Sequence, residues 1–127
     1  MVTPKIIICV REPIQRALSH YVMVTSSDGT AEQLAARGHE WRNKTLKDVI
    51  MKDIHNMKED GLLPYWDIPT GTVNENVYNE FINTYDEDIA WEKYVTSRIP
   101  LNTGSYGIIA RGLYALQFKQ WYRSFNK

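Results

Sequence analysis

The chain has 127 residues, of which 43% are hydrophobic and 24% are charged, so it has the size of one domain and enough apolar material for a core. Lysine plus arginine and aspartate plus glutamate both number 15, which gives a formal net charge of zero and excludes a global basic surface for nucleic acid or an anionic membrane. Because no apolar run reaches the roughly 18 residues that span a bilayer, we expect no membrane segment in this chain.

The first predicted element is a strand from Ile6 to Val10, where five apolar residues follow one another without polar alternation. Such a run is typical of a strand covered on both faces, as in a parallel sheet flanked by helices. A buried strand must pair its backbone N–H and C=O groups, and no second convincing strand follows. We therefore expect the rest of a larger domain to supply the partner strand, with Cys9 buried as a small apolar side chain.

A helix is predicted directly after this strand, from Ile14 to about Val24. Pro13 fits its first turn, because the fixed φ and the missing N–H suit that position. Arg11 then lies at the carboxyl end of the strand, the edge where open α/β sheets bind ligands. The residue type and place predict an anion site, whereas the alternative is an arginine paired with a carboxylate such as that of Glu12.

The middle of the chain is predicted to be mostly helical. Residues 25–43 are polar with one short apolar interlude and are expected to form a loop with a brief helix. Thr45 can cap a helix that extends through Met57. Residues 62–72 contain two prolines and a glycine, which break regular structure.

The second half of the chain carries three further helix signals. Asn74 can cap one helix, and a second is expected from Asp86 to Val95. The last is predicted from Ile108 to Phe125, with an aromatic stripe that we interpret as core. The members of that stripe are Tyr114, Phe118, Trp121 and Phe125.

Five residues at the start of the chain follow the pattern Arg-x-Pro-x-x-Arg-x-x-Ser-x-Tyr, namely Arg11, Pro13, Arg16, Ser19 and Tyr21. The pattern resembles the 3′-phosphate-binding element of sulfotransferases that use 3′-phosphoadenylyl sulfate, most closely the heparan-sulfate type. The resemblance implies that Arg11 and Ser19 hold the 3′-phosphate of the donor. A guanidinium offers phosphate a planar fork of donors, and a helix hydroxyl adds another. By contrast, Arg16 is expected to be a structural or surface charge.

A second match lies near the other end, where Gly112, Tyr114, Ala115, Trp121 and Phe125 resemble that family's Gly-x-Tyr-Ala-x-x-x-x-x-Trp-x-x-x-Phe helix. The two motifs occur along this chain in the same order as in that family.

Just ahead of that helix, Tyr106 and Gly107 occupy the positions where heparan-sulfate 3-O-sulfotransferases present acceptor-contacting residues. The resemblance implies substrate contact at both positions. That family has a tryptophan and a serine there, so the acceptor stays open: a hydroxyl or an amine, of a polysaccharide or of another molecule.

Taken together, the resemblance implies that residues 1–127 are a partial sulfotransferase domain of the P-loop-like α/β class, with one buried parallel strand followed mostly by helices. The parent reaction transfers a sulfuryl group from 3′-phosphoadenylyl sulfate to an acceptor. The family's 5′-phosphosulfate loop and general base lie upstream of the arginine corner, and only four residues precede Lys5. We therefore assign no catalytic residue and expect the isolated chain to be inactive.

Two alternatives remain at this point. The first alternative is that the chain is a non-catalytic helical binding or interaction module, in which the strand and the arginine corner are structural. A nucleotide kinase relative is disfavoured, because no Gly-x-x-x-x-Gly-Lys-Ser/Thr loop occurs. His39 and His55 lack companions at ligand spacing, so no metal is proposed. Asn43 starts a glycosylation sequon, which matters if the parent enzyme is a eukaryotic glycan sulfotransferase of the Golgi lumen.

Overall fold

The computed structural model describes residues 7–97 and 104–125. Within these ranges the chain is mainly helical, with one short two-stranded sheet and a single-turn 3₁₀ helix at Ala110–Gly112. The main elements in chain order are α1 (Pro13–Thr25), α2 (Ala31–Arg37), α3 (Leu46–Glu59), β1 (Trp66–Asp67), β2 (Thr72–Val73), α4 (Glu75–Phe81), α5 (Tyr85–Ser97) and α6 (Tyr114–Phe125).

Side-chain caps mark the starts of the first four helices. In each case a side-chain oxygen accepts a hydrogen bond from a backbone N–H of the first turn, which would otherwise lack a partner. The capping residues are Glu12, Thr30, Thr45 and Asn74. The predicted helices after Pro13, Thr45 and Asn74 are confirmed within a few residues at each end.

The apolar run at the start of the chain does not form the predicted buried strand. Residues 7–10 belong to no strand, and Ile7 and Val10 are 91% and 59% exposed. Cys9 is also exposed, so its predicted burial is wrong, whereas Ile6 lies outside the described residues. The physical reason is that no described segment offers a partner edge to this run.

The sheet that the described residues do contain lies in the segment predicted to be irregular. Trp66 pairs with Val73 and Asp67 with Thr72 in antiparallel register. Gly71 makes the turn, with a φ of 72° and its N–H 2.8 Å from the carbonyl oxygen of Asp67. At the coarse level the fold is mixed helical with a small sheet.

The last helix begins six residues later than the sequence predicts, at Tyr114 instead of Ile108. The residues predicted to form its first turns form an irregular turn and the 3₁₀ helix instead, and Gly107 in that turn has a φ of 60°. The aromatic stripe of α6 is only partly packed, since Trp121 is 49% exposed. Its interpretation as core is therefore wrong at Trp121, and the side chain of Phe125 lies outside the described set.

The core has two parts that share the segment before α6. The larger lies between α3, α5 and residues 106–116, and its most buried members are Met57, Leu62 and Tyr94. The smaller joins α1, α3 and the loop after α2 through Val24, Trp41, Val49 and Ile108. Residues 104–113 are thus held from both sides by apolar packing.

Candidate functional site

Arg11 lies immediately before the N-cap of α1 and is exposed. Its neighbour Glu12 caps the helix, because its carboxylate accepts hydrogen bonds from the N–H groups of Ile14 at 3.0 Å and Gln15 at 2.7 Å. These bonds, and to a smaller extent the charge of Arg11, lower the pKa of Glu12. Among the described residues, the Arg11 guanidinium has no ion pair within 4.0 Å. It is available to an anion from solution.

Ser19 is the seventh residue of α1 and is exposed as well. At 1.5 Å per residue it lies about 9 Å along the helix axis from Pro13. No described residue engages its hydroxyl in a side-chain hydrogen bond. That the two side chains converge on one phosphate stays a prediction.

Two neighbouring residues of α1 serve the fold. An Nη2 hydrogen of Arg16 is donated to the carbonyl oxygen of Ile108 in a very short contact, and burial lowers the pKa of this arginine. His20 is buried and donates from Nε2 to the carbonyl oxygen of Gly104 at 2.6 Å. Both residues therefore fasten the segment before α6 to α1, as expected for Arg16.

The environment of His20 keeps its imidazole neutral. Desolvation, and secondarily the charges of Arg111 and Arg16, lower its pKa to about 4. The ring packs on Trp41 with 4.8 Å between ring centroids, and Nδ1 is buried without a hydrogen-bond partner. Ser19 is exposed while His20 is buried, so the adjacent residues do not form a serine–histidine pair.

The two sequence motifs, 103 positions apart at Arg11 and Tyr114, meet at this corner. The Tyr114 hydroxyl donates to the carbonyl oxygen of Arg11 at 2.9 Å and lies 3.4 Å from the Arg11 nitrogen. At Gly112, an added Cβ would lie only 3.2 Å from the Cβ of Pro13. The absence of a side chain there permits this close approach.

Tyr106 and Gly107 lie together in the segment before α6 and line a polar cavity of about 250 Å³. The facing wall comes from α3 and carries Lys52, Asp53 and Asn56. The hydroxyl of Tyr106 donates to the backbone oxygen of Tyr94 at 3.1 Å, so the ring is fixed at the cavity edge. The arrangement can receive a ligand that carries hydroxyl or charged groups.

Asp53 is the organising carboxylate that the sequence interpretation missed. It is 5% exposed, and its two oxygens accept from the Tyr94 hydroxyl and from the N–H groups of Ile109, at 2.8 Å, and Ala110, at 3.4 Å. Burial and the Asp53 charge raise the pKa of Tyr94. The available signal was its spacing, because Asp53 stands four residues after Val49 on the apolar face of α3.

Comparison with protein-family models, with curated proteins and with solved structures finds no match to this chain. Within residues 7–97 and 104–125, no group of three or more metal-ligating side chains is arranged to hold an ion. The helices in these ranges are also too short or too polar to cross a membrane.

Proposed function

We propose that this chain forms the 3′-phosphate corner of a sulfotransferase, with Arg11 and Ser19 as the ligands of that phosphate. The donor is 3′-phosphoadenylyl sulfate, and the acceptor presents a hydroxyl or an amine, a polysaccharide being one such acceptor. Tyr106 and Gly107 contact the acceptor at the edge of the polar cavity. The site needs no metal, because arginine and hydroxyl donors suffice for a phosphate.

The observation that carries the proposal is the contact between the two motifs. Each motif alone is a short sequence pattern. The resemblance to one family does not by itself show that the two motifs lie close together in the folded chain. The hydrogen bond from Tyr114 to Arg11, together with the approach of Gly112 to Pro13, joins both patterns in one corner. Motif residues that meet in this way support a shared functional role.

The electrostatics of the corner favour side-chain donors over the helix end. The N–H groups of Ile14 and Gln15, which would ordinarily attract an anion, are already engaged by the Glu12 carboxylate. A phosphate therefore relies on the Arg11 fork, which has no competing carboxylate within ion-pair distance among the described residues. Arg11 is accordingly the dominant ligand, and Ser19 adds a neutral hydrogen bond.

In the proposed reaction, the acceptor oxygen or nitrogen attacks sulfur in line with the leaving phosphate oxygen. The sulfur–oxygen bond to the nucleotide breaks, the acceptor–sulfur bond forms, and a base takes the acceptor proton. This chain contributes binding and orientation of the donor, and none of its residues is assigned as that base. We expect the 127-residue chain to bind the product nucleotide and to give no turnover.

Calorimetric titration with adenosine 3′,5′-bisphosphate and with adenosine 5′-phosphate tests the proposal. The bisphosphate should bind saturably and at least about tenfold more tightly, because only it presents the 3′-phosphate to Arg11. Equal affinities for the two nucleotides, or no saturable binding of either, would overturn it.

The alternative of a non-catalytic interaction module has one specific observation in its favour. Ile14 and Val22 lie on one face of α1 and are 68% and 64% exposed. Apolar surface of this kind marks contact with further protein. The nucleotide titration separates the two functions, because an interaction module has no reason to prefer a 3′-phosphate.

A further inference from the structure

A second, larger cavity borders the segment before α6 and shares no lining residue with the polar cavity at Tyr106. Its volume is about 640 Å³, and it is lined by α3, the Tyr65–Trp66 region, α4 and the start of α6. Most lining side chains are apolar, among them Ile54, Leu113 and Leu116. A cavity of this size matches those that bind small organic molecules.

Aromatic side chains form one wall of this cavity. Tyr65 and Tyr78 both line the cavity and meet edge to face with 5.0 Å between ring centroids, and Phe81, outside the lining, lies 6.0 Å from Tyr65. Edge-to-face ring pairs of this kind provide a rigid apolar surface against which a further ring can pack. The wall therefore favours a flat, ring-containing ligand over a flexible chain.

The charged groups of the cavity are already neutralised by one another. Glu87 accepts from the Lys119 ammonium at 3.1 Å, and both residues line the cavity. Asp88, outside the lining, contacts the same ammonium at 2.9 Å and the Arg123 guanidinium at 2.5 Å, so two carboxylates face two cations. Neither sign of charge is left to attract an ionic ligand. The hydroxyls of Tyr65 and Tyr78 have no hydrogen-bond partner in the described part of the chain, so the polar capacity on offer is neutral.

We propose that this cavity binds a neutral, ring-containing organic molecule that carries a hydroxyl group. The rings of the ligand pack between the aromatic wall and the apolar side chains of α6, and its hydroxyl bonds to Tyr78. The site is separate from the polar cavity at Tyr106, and its occupancy does not depend on the proposed sulfotransferase role. Failure of the nucleotide titration would therefore leave this inference intact, and the reverse also holds.

The test is calorimetric titration of the whole chain with 2-naphthol and with 2-methylnaphthalene, which has the same shape but no hydroxyl. We expect saturable one-to-one binding of both. Replacement of Tyr78 by phenylalanine should weaken the binding of 2-naphthol about fivefold, because one neutral hydrogen bond is lost. The affinity for 2-methylnaphthalene should stay within about twofold of its original value. Tyr78 is 38% exposed, so this variant is expected to fold.

A cavity-filling variant locates the binding. Leu116→Trp should weaken both probes at least about tenfold, and Ala115→Phe, at an exposed position on the cavity edge, serves if that variant does not fold. The matched control Leu18→Trp, on the apolar face of α1 and outside the lining of this cavity, should change neither affinity by more than about twofold. Absence of saturable binding, or equal losses in the Leu116 and Leu18 variants, would overturn the site. Insensitivity of 2-naphthol to Tyr78→Phe would overturn the hydroxyl assignment.

Discussion

The hydroxyl of Tyr114 donates to the backbone carbonyl oxygen of Arg11 at 2.9 Å, across 103 positions of sequence. The contact ties the first residue of α6 to the residue before the N-cap of α1. Arg11 otherwise follows the exposed residues 7–10, which no described element covers. Tyr114 is therefore the residue that orients the backbone of Arg11 relative to the rest of the fold.

Replacement of Tyr114 by phenylalanine removes this contact and keeps the ring. We expect the free energy of unfolding to fall by about 0.5 to 1.5 kcal/mol, the usual net value of one hydrogen bond. Urea unfolding measures it. Tyr122→Phe is the matched control, because Tyr122 lies on the same helix, is 69% exposed and should change stability by less than about 0.5 kcal/mol. Equal stabilities of the two variants would contradict the role of Tyr114.

Stability should fall in mild acid because of His20. Its pKa is about 4 in the folded chain and near 6.5 when unfolded, so between these values the unfolded state binds the additional proton. The stabilisation is complete above pH 6.5 and is lost as the pH falls towards 4, by up to about 3 kcal/mol at 1.36 kcal/mol per pH unit. Urea unfolding at several pH values measures this loss.

The contribution of His20 is isolated by comparison with substitution variants. His20→Gln should flatten the stability profile between pH 6.5 and 4 relative to the unsubstituted chain, since the glutamine cannot titrate. His55→Gln, at an exposed position on α3, should leave the slope as it was. A profile that keeps its slope in the His20 variant would show that other groups cause the acid sensitivity.

Asp53→Asn should be among the most destabilising conservative substitutions in the chain. An amide keeps one acceptor oxygen and presents a donor where Asp53 accepts, so either the Tyr94 hydroxyl or the N–H groups of Ile109 and Ala110 lose their acceptor. An unsatisfied buried donor costs about 1 to 3 kcal/mol. Thermal and urea unfolding measure the loss. Asp86→Asn, exposed on α5, should be nearly neutral, and a similar loss in both would contradict the account.

Local signals in the sequence predicted much of the helical fold. Pro13, Thr45 and Asn74 each act within one turn of the helix they start, so their effect is visible without knowledge of the tertiary structure. The late start of α6 was not predictable in this way, because it depends on a contact with a distant part of the chain. Asp53, on α3, accepts hydrogen bonds from the backbone N–H groups of Ile109 and Ala110.

The misassigned apolar run has a comparable cause. Burial of residues 7–10 depends on a partner strand, and composition alone does not supply one. The hairpin at Trp66 was missed because its two-residue strands are too short to show alternation. The sequence pattern predicts Arg11 as a phosphate ligand, whereas the contact of Arg11 with Tyr114 is visible only in the tertiary structure.

Removal of the charge of Glu12 should strengthen nucleotide binding at the corner. The Glu12 carboxylate lies next to Arg11, lowers the net positive potential there and is fully exposed to screening. We expect Glu12→Gln to increase the affinity for adenosine 3′,5′-bisphosphate about two- to fivefold in low salt, and this increase should be lost at high salt. Glu32→Gln, in the first turn of α2, is the control and should have no effect. Weaker binding in the Glu12 variant would indicate that its capping role dominates.

The central claim is that Arg11 binds a 3′-phosphate, and a double-mutant cycle tests it most directly. The affinities of the unsubstituted chain and of Arg11→Ala are measured by calorimetry for adenosine 3′,5′-bisphosphate and for adenosine 5′-phosphate. A charge-assisted contact contributes about 1.5 to 3 kcal/mol, so Arg11→Ala should weaken the bisphosphate about ten- to a hundredfold and leave the 5′-phosphate unchanged, with Arg11→Lys in between. The same loss for both nucleotides would contradict the claim and place the effect of Arg11 in the structure of the corner.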